Sequence, residues 1–290
     1  MLSSIRTDIT NKQYNKAWYD MKNSQTDIPD WKIEEYKMTE TDILIYEFKK
    51  LIIHTALERE SRNLWIDWFD TSCKTKNSEK ITSASTVYDN NIVSRESLSV
   101  PTKNEIRMTI TKLYEKYFPW EWKTVVFDRT WNNRALVQNI YRYCSEWQYK
   151  NFMKRLESEL DRFSKKWYKL QNFFFFISKE VQEERLNKRK WDPLRMHRFS
   201  ESDGKALEKY DQIKREIWRL AKIYDKAWIP FTLINTENEE LWLINLLKAI
   251  LYDLDYRKKS KEIDFTPDKN IVIAWVDEIL KYTRQTNKPA

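Results

Sequence analysis

A carboxylate and two arginines follow a short apolar run near the middle of the chain. Residues 124–127 are β-branched or aromatic, and Asp128, Arg129 and Arg134 follow them. A buried strand of this kind brings charged side chains to its carboxyl end, where open α/β sheets bind their ligands. Carboxylate oxygens suit Mg²⁺, and guanidinium groups suit phosphate oxygens. The cluster predicts a site for Mg²⁺ and phosphate, and the alternative is a structural ion pair between Asp128 and the arginines.

Further cations are concentrated in two other stretches. Lys74 and Lys76 lie in the polar, loop-like stretch 70–85. Six basic residues lie close together further on, namely Arg185, Lys188, Arg189, Lys190, Arg195 and Arg198. A charge run of this kind is usually a solvated face, so it gains a functional meaning only from its surroundings.

Composition limits the classes of function. The 290 residues carry a formal net charge of +8, which favours anionic partners such as polyphosphate, nucleotides, nucleic acid or a membrane surface. No nucleic-acid-binding signature accompanies the charge, so we do not expect nucleic acid as the partner. The single glycine, Gly204, excludes a glycine-rich phosphate loop and a dinucleotide fingerprint, because such loops need several glycines.

Cysteine use and hydropathy point to the compartment. Cys73 and Cys144 lie far apart and only two histidines are present, so we expect neither a disulfide framework nor a structural zinc site. The polar N-terminus lacks the apolar segment of a signal peptide, and no apolar run approaches the ~20 residues of a membrane span. We therefore expect a soluble, cytoplasmic protein.

Alternating strand and helix patterns predict the elements that position the charged residues. Strand patterns cover 64–69, 124–127, 172–177 and 230–234, and the stretch 87–100 is ambiguous. Helix spacing covers 43–59, 103–117, 135–143, 146–163, 207–228 and 241–254, and 271–282 is a short amphipathic segment. The helix 146–163 has one apolar stripe, formed by Trp147, Phe152, Met153, Leu156, Leu160 and Phe163. The alternation predicts an α/β protein with a parallel sheet flanked by helices on both faces.

Four local motifs occur together in the second half of the chain. They are FDRTWNNRA at 127–135, NFFFFISKEVQEERLNKR at 172–189, DPLRMHRFSESD at 192–203 and KAWIPFTLINTENE at 226–239. In this order and at this spacing the chain resembles the family-2 polyphosphate kinases. The resemblance implies a thymidylate-kinase-like P-loop fold with a helical basic lid at about 185–205. It also implies a domain at 39–256 between N-terminal and C-terminal extensions, 1–38 and 257–290.

The resemblance assigns expected roles to the charged residues. Asp128 matches an aspartate that works near Mg²⁺, and Arg129 and Arg134 match arginines that hold phosphates. Asn133 belongs to the same block, whereas Asn132 replaces a tyrosine of the family. Lid residues expected to bind phosphate are Arg185, Arg189 and Arg198, and His197, which replaces a tryptophan, is given no role.

The chain departs from the family where a glycine-rich loop, G-x-D-x-x-G-K, is expected. The corresponding residues 69–78 contain no glycine, Asp70 matches the catalytic aspartate poorly, and Lys76 aligns with the phosphate lysine only across a gap. Without glycine, backbone N–H groups do not easily turn inward to cradle phosphate.

Two functions follow. The first is a catalytically impaired relative that acts as an anion-binding or assembly component. The alternative is an active Mg²⁺-dependent kinase that moves phosphate between polyphosphate and a nucleoside diphosphate, with Lys74 and Lys76 replacing the loop contacts. In either case the resemblance implies self-association, and a protein partner is the other expected contact.

Overall fold

The protein is represented by a computed structural model that describes residues 39–69, 92–97, 122–165, 168–193 and 201–273, together with a few isolated positions between 72 and 118. The strands are β1 (Ser61–Trp68), β2 (Val93–Ser97), β3 (Thr124–Asp128), β4 (Tyr168–Phe176), β5 (Phe231–Asn235) and β6 (Val272–Ile273). The α-helices are α1 (Glu40–Leu57), α2 (Glu146–Ser164), α3 (Lys179–Trp191), α4 (Glu201–Lys226) and α5 (Leu241–Leu251), and a π-helical segment spans Arg134–Asn139. The predicted helix 103–117 lies almost wholly outside the described residues.

The described strands form one sheet with the order β2-β3-β1-β4-β5-β6. The first five strands run parallel, and β6 pairs antiparallel with β5 at the edge. This arrangement confirms the predicted α/β class. The chain builds β1, β2 and β3 on one side of the sheet and then crosses to β4 on the other side of β1. The crevice beside the carboxyl end of β1 is therefore the place where sheets of this kind bind ligands.

The four consecutive phenylalanines of β4 show why the sheet has two cores. Phe173 and Phe175 lie in an apolar cluster with residues of α1 and α5. Phe174 and Phe176 lie in a second cluster with residues of α2 and α4. Because alternate residues of a strand point to opposite faces, a parallel strand covered by helices on both sides needs a continuous apolar run. The strand predicted from this run is confirmed.

Polar side chains fix the starts of the helices. Thr39 and Asp42 exchange hydrogen bonds at the start of α1, where the Asp42 carboxylate accepts from the Thr39 N–H at 3.0 Å. Ser145 and Gln148 form the same reciprocal box at the start of α2. Such caps satisfy N–H groups that have no partner within the helix, and each contributes about 1 kcal/mol.

Some predicted elements differ from the structure. The helix expected at 135–143 is a π-helical segment that begins one residue earlier, at Arg134. The predicted apolar stripe of α2 is wrong at Trp147, the second residue of the helix, which is 72% exposed. Val272 and Ile273, expected in an amphipathic segment, form the antiparallel edge strand β6.

Residues 257–273 contact α1 and the neighbouring core. The ammonium of Lys50 donates to the carbonyl oxygen of Lys258 at 3.1 Å, and Phe265 and Ile271 are buried. Residues 44–273 belong to one compact unit. The division into a domain at 39–256 with two extensions stays a prediction. Among the helices described, none combines the length and apolar character that crossing a bilayer requires.

Candidate anion-binding site

Asp128 ends β3 and is only 1% exposed. The guanidinium Nη2 of Arg95 lies 2.5 Å from its Oδ2, and the hydroxyl of Ser97 donates to the same oxygen at 3.3 Å. Arg95 and Ser97 are alternate residues of β2, and Ser97 lies opposite Asp128 in the register, so both side chains reach the same face. The charged end of β3 is therefore held by an arginine from the neighbouring strand.

Asp67 supplies a second buried carboxylate, one position before the end of β1. It accepts a hydrogen bond from the backbone N–H of Thr130 at 2.9 Å, one from the Thr130 hydroxyl at 2.5 Å, and one from the Asn132 amide at 2.9 Å. Burial raises the pKa of Asp67, and the nearby charge of Asp128 raises it further, while the three hydrogen bonds act in the opposite direction. The loop after β3 is thereby bound to the end of β1.

Helix α4 holds the same loop from the other side. The hydroxyl of Tyr224 donates to the Oδ1 of Asn132 at 2.9 Å and accepts from the indole N–H of Trp131 at 2.9 Å. All three side chains are at most 1% exposed. Asn132 therefore bridges Asp67 and Tyr224. The resemblance to the family, where a tyrosine occupies this position, did not predict this structural role.

Arg134 begins the π-helical segment and is 3% exposed. Its guanidinium lies beside the thiol of Cys144, whose pKa is raised by burial and lowered by the arginine. The Nη1 of Arg134 is buried and has no hydrogen-bond partner within the described part of the chain. A buried N–H group without an acceptor is costly, and the oxygen of a phosphate group would satisfy it with a charge-assisted bond.

Arg129 turns the chain directly after β3. Its φ angle of 78° lies in the left-handed region, which is unfavourable for a residue with a Cβ atom. Its backbone N–H still donates to the carbonyl of Ile66 at 3.1 Å, so the turn remains attached to β1. Strained backbone of this kind persists where neighbouring contacts determine the conformation, and it is frequent at functional sites.

Two of the predicted lid residues lie on α3. The Nη2 of Arg185 donates to the carbonyl oxygens of Thr236 and Glu237 at 2.8 and 2.9 Å, which fastens α3 to the end of β5. Arg189 lies one turn further along and is half-buried. The other predicted phosphate ligands, Lys74, Lys76 and Arg198, lie outside the described residues, as do Asp70 and His197. The roles assigned to all of these residues, and those assigned to Asp128, Arg129 and Arg134, stay predictions.

The carboxylates described at this site do not fit Mg²⁺ as they are arranged. Both oxygens of Asp67 accept hydrogen bonds from Thr130 or Asn132, and Oδ2 of Asp128 faces a guanidinium group. Across the described ranges, no three His, Cys, Asp or Glu side chains come together as metal ligands. Mg²⁺ requires oxygen ligands at close range in octahedral geometry, so a cation that used Oδ2 of Asp128 would first have to displace Arg95.

Three residues of this site were not among the predicted site residues. Asp67 is the one charged residue in the apolar run 64–69, and that contrast was a usable signal. Arg95 lies in a stretch of ambiguous pattern, and Tyr224 is one of many aromatic residues on an amphipathic helix. Nothing in the sequence distinguishes either of the last two.

Comparison with known proteins agrees with this fold. The family model described as polyphosphate kinase 2 (PPK2) matches residues 34–262, well over half of the chain. A GDP-polyphosphate phosphotransferase from Pseudomonas aeruginosa is 31% identical over 177 residues, which cover 61% of this chain and 49% of the relative. An NDP-polyphosphate phosphotransferase 2 from Ruegeria pomeroyi is 29% identical over 179 residues, which cover 61% of this chain and 51% of the relative. The matched region spans about half the length of these relatives.

A solved structure shows the same architecture. The polyphosphate kinase 2 from Arthrobacter aurescens TC1 superposes with a TM-score of 0.59 at 17% identity, covering 79% of this chain and 85% of that one. Identity at this level bears on the fold alone, and it agrees with a P-loop kinase fold. The extent of the family match decides the classification. The chain belongs to the polyphosphate kinase 2 family.

Proposed function

We propose that the chain binds a phosphate polyanion, polyphosphate or the phosphates of a nucleotide, at the carboxyl edge of β1 and β3, and that phosphate transfer is impaired. The observation that carries the proposal is the ion pair between Arg95 and Asp128. A carboxylate held by a guanidinium group at 2.5 Å has much of its charge compensated. It is therefore less able to hold the cation that neutralises phosphate charge during transfer.

Three further features support polyanion binding. Arg134 carries a buried N–H group without an acceptor in the described part of the chain. The relatives are named for acting on polyphosphate and nucleoside diphosphates. The formal net charge of +8 attracts anions from a distance. The single glycine supports impairment, because side chains alone must replace the backbone N–H groups of a phosphate loop.

Catalysis is tested with the pure full chain, Mg²⁺, polyphosphate, and ADP or GDP. We expect no nucleoside triphosphate beyond the amount formed by Asp128→Asn, while the P. aeruginosa relative, assayed in parallel, supplies the positive control. Turnover by the wild type that Asp128→Asn abolishes would contradict impairment. That result would support the alternative, an active Mg²⁺-dependent kinase.

Binding is tested by titrating tripolyphosphate in a calorimeter. Arg134→Gln should weaken binding about tenfold to a hundredfold, because one charge-assisted hydrogen bond is lost. Arg257→Gln is the matched control, since Arg257 lies on the surface 2.7 Å from Glu58. Equal affinities for the wild type and Arg134→Gln would show that the anion does not bind at this site.

The proposal extends to assembly and location. We propose that the chain self-associates or binds a protein partner, and that it acts in the cytoplasm. Trp147, Trp191 and Trp228 are candidate contact residues, because their side chains are 72%, 77% and 94% exposed. Light scattering after size-exclusion chromatography measures the mass, and a monomer at all concentrations would contradict self-association.

A further inference from the structure

The Arg95–Asp128 pair lies where a ligand would be bound. Asp128 ends β3, immediately beside the carboxyl end of β1, because Ile66 and Asp128 are register partners. This end of the sheet also contains Asp67, whose pKa is raised in part by the charge of Asp128, so the two carboxylates are within electrostatic reach. A positive charge at this point reduces their mutual repulsion. Arg95 supplies one from within the chain.

Arg95 is fixed in this position. Its Nε atom is buried, so the surrounding protein restricts movement of the guanidinium group. The guanidinium reaches Asp128 from β2, the strand next to β3, so the attachment point of the side chain is rigid. A divalent cation that displaced it from Oδ2 would have to lose part of its hydration shell and leave a partly buried guanidinium without its carboxylate. Displacement is therefore unfavourable.

The same guanidinium can still meet an anion. The Arg95 side chain is 24% exposed, whereas that of Asp128 is 1% exposed, so solvent reaches the arginine rather than the carboxylate. A guanidinium group carries five N–H donors in a planar fork, and one nitrogen bonded to Asp128 leaves others for phosphate oxygens. An arginine between a carboxylate and a phosphate thus bridges the two anions, with one positive charge where a divalent cation has two.

We propose that Arg95 takes the place of a divalent cation at Asp128, so that the chain binds a phosphate polyanion without metal. The part concerning the polyanion rests on the proposed function, and the part concerning the metal does not. Arg95 is a binding residue in this proposal, and Asp128 positions it.

The metal is tested alone with Mn²⁺, whose free form is followed by electron paramagnetic resonance. The wild type should bind no more Mn²⁺ than Asp128→Asn. Arg95→Leu should gain one site, and the double variant Arg95→Leu/Asp128→Asn should lack it. Binding by the wild type that Asp128→Asn removes would overturn the proposal, and so would a folded Arg95→Leu that gains no site. If Arg95→Leu does not fold, the comparison of the wild type with Asp128→Asn decides the question.

The polyanion is tested with tripolyphosphate in EDTA and in Mg²⁺. The wild type should bind at least as tightly in EDTA as in Mg²⁺, and Arg95→Leu should bind about tenfold more weakly in EDTA. Arg257→Leu, an exposed arginine paired with Glu58, should behave like the wild type. Weakening of wild-type binding in EDTA by about tenfold would overturn metal-free binding. Absence of binding in every condition would overturn the proposed function, and the Mn²⁺ measurement would still decide the role of Arg95.

Discussion

The indole N–H of Trp131 donates a hydrogen bond to the hydroxyl oxygen of Tyr224, 2.9 Å away, although 93 positions separate the two residues. The same hydroxyl donates to Asn132, which in turn donates to the carboxylate of Asp67. A single oxygen atom on α4 thus connects that helix to the loop after β3 and, through it, to the end of β1. The positions of the charged residues at the site depend on this buried chain of hydrogen bonds.

Removal of the Tyr224 hydroxyl should destabilise the protein. Tyr224→Phe keeps the ring but leaves the Trp131 N–H and the Asn132 carbonyl without their partner, both of them buried. We expect the free energy of unfolding to fall by about 1–3 kcal/mol, measured by urea denaturation. Tyr252→Phe is the matched control, because that ring is 47% exposed and its change should be within ~0.5 kcal/mol. Equal stability of Tyr224→Phe and the wild type would contradict the inferred coupling.

Replacement of Asn172 should stabilise the protein. This residue of β4 is 2% exposed, and neither its Oδ1 nor its Nδ2 has a hydrogen-bond partner in the described structure. It lies between Trp65 on β1 and Phe231 on β5, in an apolar environment. Asn172→Leu, similar in shape, should raise the free energy of unfolding by about 1–2 kcal/mol.

The matched control for Asn172 is Asn132→Leu, a buried asparagine whose amide is fully used. It should lose stability, since Asp67 and Tyr224 each lose a partner. If both leucine variants changed the melting temperature in the same direction, the assignment of Asn172 as an unsatisfied group would be wrong.

A glycine at position 228 should also stabilise the protein. Trp228 follows α4 with a φ of 57°, and the next N–H group, of Ile229, donates back to the carbonyl of Tyr224. This helix end favours glycine, and the Trp228 side chain is 94% exposed, so little packing is lost. Trp228→Gly should raise the free energy of unfolding by about 0.5–1 kcal/mol, measured by thermal denaturation. Trp147→Gly, within α2, should instead lose up to ~1 kcal/mol.

Alkaline pH should weaken the contact between α2 and α4. The hydroxyl of Tyr149 donates to Glu216 at 2.6 Å, and burial together with this carboxylate raises the pKa of Tyr149 to about 12. The folded state therefore holds the phenol proton more tightly than the unfolded state, whose pKa is about 10. The stabilising contribution is complete below pH ~10 and is lost as the pH rises towards ~12.

The measurement compares the wild type with Tyr149→Phe. The difference between their free energies of unfolding should shrink across that alkaline range. The ¹³Cζ resonance of Tyr149 is identified by its absence from the spectrum of the variant. It should titrate at a pH above the ordinary tyrosine pKa. A resonance that titrates at the ordinary tyrosine pKa would contradict the predicted shift.

Local pattern was sufficient to predict much of the fold. The run Phe173 to Phe176 predicts a buried parallel strand because both of its faces are covered, and the structure confirms it. The long helix α4 follows from its amphipathic spacing. Position 147 shows the limit of such a pattern, because Trp147 has the spacing of the helical stripe and is nevertheless 72% exposed.

The candidate site could be predicted only in part. Asp128 is recognisable because it ends an apolar strand. Its partner Arg95 is 33 positions away on a strand, β2, that is polar and half-exposed, so no local pattern marks it. Which of several arginines reaches a given carboxylate depends on strand order and register, and both are properties of the folded sheet. The orientation of Arg185 towards the end of β5 depends on tertiary packing in the same way.

The aromatic core beside the site has a spectroscopic consequence. The rings of Trp65 and Trp131 lie 4.6 Å apart with an interplanar angle of 80°, an edge-to-face pair at the junction of β1 and the loop after β3. Two indoles this close couple their electronic transitions and produce a paired positive and negative band in circular dichroism. The intensity of that couplet depends on the distance and angle between the two rings. It therefore provides an intrinsic optical signal for the geometry of the site, and no label has to be attached.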